Sequence, residues 1–296
     1  MVMDEDGLEG RGVRVPTDAE EAILQRTLEM ARDGEWDQVA DVLREALSDH
    51  PESPYVLCWL GMAERELGMD GIAYERFKQA LALEPEDPVL LSTAGTALAR
   101  FDDPAAEAAL RTAAMVAPEL AQARWMYGAY LIREGMLEKG MEELDAAVRL
   151  DPENPTIHLE RGVGRAMGGE LEAATHALAT SAELDPEDGW ALILLGLTWL
   201  ELGELEEAAR HLEEGARLRV DDLEAQLLAA LVLAVLEVHG SALEMLERAR
   251  LQAQGADETL VLEVEDRIEG SGEEALAFLR NSLGPSSFRA RLRHRP

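Results

Sequence analysis

Lysine and asparagine are nearly missing from this 296-residue chain, with two of each: Lys78, Lys139, Asn154 and Asn281. Cationic side chains of any kind are few, 27 against 60 carboxylates, which leaves a formal net charge of −33. A chain so poor in cations cannot neutralise a run of phosphates, which argues against general nucleic-acid binding. The same deficit argues against lying on an anionic membrane face. Cys58 is the single cysteine, so an internal disulfide framework is excluded. The longest apolar run, residues 227–236, is far short of the roughly 20 residues that span a bilayer. The N-terminus is acidic where a secretory leader would be basic and then apolar, so the expectation is a soluble cytoplasmic protein.

Aromatic residues are only 4% of the total, whereas apolar residues reach 47%, enough for a packed core. Ala, Leu and Glu dominate, and these favour helix. The preference for Arg over Lys fits either a GC-rich genome or adaptation to salt. Glu outnumbers Asp about two to one, and that weighs against salt.

What the chain does have is a repeat. Prolines stand at 51, 85, 118, 152 and 186, with intervals of 34, 33, 34 and 34. Gly61, Gly95, Gly128, Gly162 and Gly196 keep the same register. Two further small-residue ladders run through Ala73, Ala106, Gly140, Ala174, Ala208 and Ala242, and through Ala46, Ala80, Ala113, Ala147, Ser181, Gly215 and Ala249. Small residues at facing positions let two antiparallel helices approach closely. A second glycine series (34, 68, 135, 169, 203) sits where the first helix of each pair would end in left-handed geometry. Ser53-Pro54, Asp87-Pro88 and Asn154-Pro155 read as a capping side chain before a proline at the first helical position. No segment alternates as a strand would. The fold class predicted is all-α.

The segment Leu57-x-x-Leu60-Gly61, with Gly68, Ala73, Phe77, Ala80 and Pro85, resembles the signature of the tetratricopeptide repeat (TPR) family. Leu192-x-x-Leu195-Gly196, with Trp199, Gly203, Ala208 and Leu212, is similar. In that register the units fall at about 20–53, 54–87, 88–120, 121–154, 155–188, 189–222 and 223–256, with a degenerate cap at 257–284. Together they form an array over 16–284, with an acidic lead-in expected to be disordered at 1–15 and a basic tail at 285–296. The resemblance implies a right-handed superhelical solenoid of seven to eight helix-turn-helix units, a non-catalytic scaffold that binds a protein or peptide in its groove.

No nucleophile–base pair, metal-ligand spacing or phosphate loop is recognisable, so neither enzyme chemistry, metal nor cofactor is expected. Gly162, Gly164, Gly168 and Gly169 fall on repeat-register positions and precede no phosphate-binding lysine. In the TPR family the first helix of each unit lines the groove. Mapped by register, the groove positions include Arg32, Tyr55, Met62, Arg65, Arg100, Trp125, Arg133, Trp190, Ile193 and Leu197. Arg32, Arg65, Arg100 and Arg133 suggest a cationic track for an acidic segment. They equally suit the last turn of a helix, where a cation meets the macrodipole. The later positions are apolar and suit an amphipathic helix, or packing against the cap. Trp125 and Trp190 read either as groove anchors or as inter-repeat packing. The Lys/Asn carboxylate clamp of chaperone-binding TPR proteins is not recognisable. Arg289, Arg291, Arg293 and Arg295 leave three readings of the tail: an unstructured end, a clasp onto an acidic surface of this or a neighbouring copy, or an RNA contact. The alternatives to a scaffold are a self-assembling protein, forming homo-oligomers through that tail, and a regulatory subunit of an enzyme.

Overall fold

The computed structural model describes residues 16–293. All regular structure among them is helical, and the chain divides into two compact units, Met1–Tyr130 and Leu131–Pro296.

The N-terminal unit contains α1 (Asp18–Arg32), α2 (Trp36–Asp49), α3 (Pro54–Glu66), α4 (Asp70–Ala82), α5 (Pro88–Ala99) and α6 (Ala105–Val116), with most of α7 (Ala121–Arg133). Its starts follow from side-chain chemistry. Ser53 Oγ accepts from Val56 N at 3.2 Å, and Asp87 Oδ1 accepts from Val89 N at 2.8 Å and Leu90 N at 3.0 Å, each just before a proline that has no N–H to lose. Consecutive helices pair as antiparallel neighbours, and the first helices also stack, α1 on α3 and α3 on α5. The intra-pair glycine has a definite partner. A Cβ at Gly61 would lie 3.1 Å from the Phe77 ring, so the bulky residue of the second helix sits on the bare backbone of the first. Gly34 and Gly68 end their helices at φ near +75°, as the second glycine series requires. The third pair has no glycine there, and Asp102 adopts φ +52° in its place.

The C-terminal unit contains α8 (Leu137–Leu150), α9 (Pro155–Met167), α10 (Leu171–Leu184), α11 (Gly189–Leu202), α12 (Leu205–Leu218), α13 (Leu223–Val235) and α14 (His239–Gln252). Here too neighbours in sequence pair, α9 with α10, α11 with α12 and α13 with α14. After α15 (Ala256–Gly270) the pattern stops. A short α16 (Gly272–Phe278) packs on α13 and α15, a π-helical turn follows (Leu279–Leu283), and α17 (Gly284–Arg293) lies against α11 and α9. The chain end thus runs back over first helices already laid down, from α13 to α11 to α9. Residues 285–293, read from sequence as a basic tail, are helix. Of the three readings of that tail, the clasp onto this chain's own surface is the one the structure contains. Arg295 and the lead-in 1–15 lie outside the described residues.

Candidate functional site

The ten groove positions divide between the units. In the N-terminal unit, Arg32 ends α1, Arg65 stands in the last turn of α3 and Arg100 caps α5, all on stacked first helices. Arg65 pairs with Glu66 at 3.1 Å. Arg32 and Arg100 are exposed and form no ion pair with a described residue, as is true of Arg26 on α1. The contrast inside this unit is instructive. Glu64, buried at 1% exposure, takes Arg44 of α2 at 3.4 Å and Arg76 of α4 at 3.3 Å, so those cations hold the pairs of helices together. Tyr55 is buried and donates its hydroxyl to Asp87 at 3.3 Å, while Met62 and Trp125 are half-buried. Cys58, buried in the same cluster as Tyr55 and Met62, has its thiol pushed up to about 12, first by burial and then by the Asp87 charge, against a smaller opposing pull from Arg65. It stays a neutral thiol and behaves as a small apolar side chain.

In the C-terminal unit the expected groove residues have other tasks. Arg133 Nη2 donates to both oxygens of Glu160 on α9, at 3.0 and 3.1 Å, and that carboxylate is 3% exposed. The position read from sequence as part of a cationic track is therefore the counter-charge of a buried acid. Ile193 and Leu197 have no exposed surface. Ile193 rests on α12, where a Cβ at Gly215 would come within 2.7 Å of its Cγ1. These two residues are core and present nothing to a ligand.

Trp190 is covered by the chain itself. Arg219 and Arg291 lie over its indole at 5.6 and 5.0 Å, a pair of cation–π contacts. Arg291 comes from α17 and is 7% exposed. Its two terminal nitrogens grip Asp222, Nη1 to Oδ2 and Nη2 to Oδ1, each at 2.7 Å, in the bidentate fork that guanidinium makes with carboxylate. Its Nε donates to the buried Ser287 Oγ at 3.0 Å, and Glu224 approaches at 3.7 Å. Asp222 is also the N-cap of α13, accepting from Ala225 N at 3.0 Å. Burial alone would raise the Asp222 carboxyl, but the Arg291 hydrogen bonds and charge, the Ala225 N–H and Arg219 outweigh it, and its pKa lies below the ordinary value. Glu224 goes the other way, raised by burial against the pull of Arg291.

Asp222, Glu224, Arg219, Ser287 and Phe288 are absent from the residues that repeat register singles out. The available signal was the spacing of Leu283, Ser287, Phe288, Arg291 and Leu292, an apolar-plus-arginine stripe of helical period, within a segment that reads more readily as alternating Arg. No group of three or more His, Cys, Asp or Glu placed to hold a metal ion occurs among the described residues. No described helix is long and apolar enough to cross a membrane.

No family model matches the chain, and no curated protein matches it. Solved structures do. A chain of the APC/C hetero-tetramer Cut9–Hcn1 superposes with a TM-score of 0.68 over 82% of this chain at 18% identity, and this chain spans about half (48%) of that one. The pilF protein of Pseudomonas aeruginosa superposes with a TM-score of 0.54 over 68% of this chain and 92% of its own, at 21% identity. Human IFIT1, from a dimer solved with PPP-AAAA, gives 0.62 over 87% of this chain and 68% of its own, at 12% identity. At such identities the likeness shows the fold, an all-helical array of paired helices of the TPR solenoid type.

Proposed function

We propose that this TPR-type array is a non-catalytic, cytoplasmic protein-interaction scaffold whose N-terminal unit receives an acidic partner segment on the face formed by α1, α3 and α5. One observation carries the reading. In a chain of net charge −33, Arg32 and Arg100 stand exposed on stacked first helices without a carboxylate partner among the described residues, whereas Arg44 and Arg76 are committed to Glu64. Arginine suits that task because its planar fork matches a carboxylate. Half-buried Met62 and Trp125 belong to the same unit and would flank the bound segment, with Tyr55 buried beneath. Two of the similar structures are themselves assemblies, a hetero-tetramer and a dimer, which is consistent with a fold used for association.

The self-assembly reading rested on a basic tail reaching an acidic neighbour. Arg291 is turned into its own chain, so Arg289 and Arg293 are the tail cations left facing solvent among the described residues. Affinity capture from native lysate, with identification by mass spectrometry, separates these readings. The comparison is wild type against a variant carrying Arg32→Glu, Arg65→Glu and Arg100→Glu, with Arg133 left in place to hold Glu160. A stoichiometric partner captured by wild type and lost from the variant is the expected result. A partner retained equally by both would remove the N-terminal face from consideration, and recovery of this chain alone would favour self-assembly.

A further inference from the structure

The segment that covers Trp190 behaves as a bound ligand does. It is a ten-residue helix whose buried face is Gly284, Ser287, Phe288, Arg291 and Leu292, and whose other face exposes Arg289, Ala290 and Arg293. It is laid across α9 and α11 without being part of any helix pair. It is tethered at one end, through the π-helical turn and the seven-residue α16, to an extended Ser271 (φ −159°, ψ 154°) between two glycines. Its central anchor is polar: one guanidinium on an indole face, forked onto the carboxylate that caps α13. If α17 lifts away, Trp190, Asp222 and Glu224 are uncovered together, with Arg219 at 3.8 Å the remaining cation on Asp222. A vacated site with an aromatic floor and two acids selects a planar cation on a helix, with apolar contact on either side.

We propose that the first-helix face of the C-terminal unit is a recognition site for helical segments presenting an arginine with an aromatic residue three positions earlier and an aliphatic residue directly after. In this chain α17, with Phe288, Arg291 and Leu292, is the resident intramolecular ligand, and a partner helix of the same chemistry enters by displacing it. The resident lowers the apparent affinity for any competitor by the fraction of time the site stands open. Weakening the resident therefore strengthens the outsider. The site lies wholly in the C-terminal unit, so its test uses none of the arginines of the N-terminal face, and failure of either reading leaves the other standing.

The probe is a labelled peptide with the sequence of residues 282–293, titrated by fluorescence anisotropy into the full-length chain. The Arg291→Glu chain should bind it at least about tenfold more tightly than wild type does, in a complex of one peptide per chain. A peptide in which the arginine at position 291 alone is changed to glutamate should not bind either chain. Circular dichroism checks that Arg291→Glu retains its helix content. Should it fail to fold, the milder Ser287→Ala chain, which removes one bond to Arg291, should show a smaller gain of the same sign. Equal binding to wild type and variant, or binding that is unchanged when the peptide's arginine at position 291 is replaced, would overturn the proposal. So would sedimentation showing wild-type dimers that exchange α17 between copies, since the resident would then belong to a second chain.

Discussion

The first helices of the two units bury themselves to different extents. Helix α1 buries only Glu20 and Thr27 and leaves Leu28 at 38% exposure, α5 buries seven of its twelve residues with Thr93 and Thr96 half-buried, and α3 is intermediate, with nine of thirteen buried. Helix α11, by contrast, has eleven of its fourteen residues buried, and α13 has ten of thirteen. A helix apolar on every side needs cover on every side. Helix α11 is held between α10 and α12, and α13 between α12 and α14 with α15 beside it; the returning segment covers what is left, with α16 on α13 and α17 on α11. The buried apolar residues reflect this. In the C-terminal unit they form one large cluster running from Leu159 to Leu292, while those of the N-terminal unit fall into three smaller clusters. The same repeat thus leaves α1 largely open in one unit and presents an occupied first-helix face in the other. Side-chain hydrophobicity at the exposed register positions decides which.

The largest effect should come from placing one charge at equivalent depth in sequence but not in burial. Leu231→Asp, at a fully buried position of α13, is expected to cost about 5 kcal/mol and to unfold the C-terminal unit. Leu28→Asp on α1 should stay within about 0.5 kcal/mol. Thermal unfolding of the two variants measures both, and comparable losses would mean that the faces are equally covered.

Arg291→Ala comes next, because it takes the guanidinium fork off a largely buried carboxylate and leaves only Arg219, at 3.8 Å, as its counter-charge. About 3 kcal/mol of C-terminal-unit stability should be lost, while Arg100→Ala should be close to neutral. Acid sharpens the same contrast. Asp222 is held below the ordinary aspartate value of 3.8, so its contribution is complete above that pH and disappears as pH falls through the lower, folded-state value. Glu224, raised by burial, has the opposite sign and gains slightly on protonation. Denaturant unfolding of wild type should therefore show a loss below about pH 4 that the Arg291→Ala chain lacks. Matching acid profiles would place the sensitivity elsewhere.

The smallest effect concerns turns. Gly34 and Gly68 accept positive φ without cost, but Asp102 and, between α13 and α14, Glu237 hold φ of +52° and +60° with a side chain present. Asp102→Gly and Glu237→Gly should each raise stability by about 1 kcal/mol, read from the denaturation midpoint. No gain at either site would show that local contacts of the side chain offset the backbone strain.

Most of the fold was legible because its determinants are local and repeated. Gly61 opposite Phe77, Ser53 before Pro54 and Gly68 at φ +74° act within one pair of helices and recur in register. The site was legible only in part. Register placed Arg32 and Arg100 on exposed first-helix ends, but it also placed Ile193 and Leu197 on a face when they are core, because a helix covered on all sides no longer has a groove side.

The sequence by itself determined that this chain would be an all-helical array of paired helices, since small-residue ladders, caps and glycine turns specify each pair from residues close along the chain. Only the tertiary structure decided that Arg133 neutralises Glu160, 27 residues on, and that Arg291 crosses 69 residues to Asp222. Periodicity fixes what each helix can offer on its surface. Which distant carboxylate meets which arginine depends on where the chain turns back, and no local pattern records that.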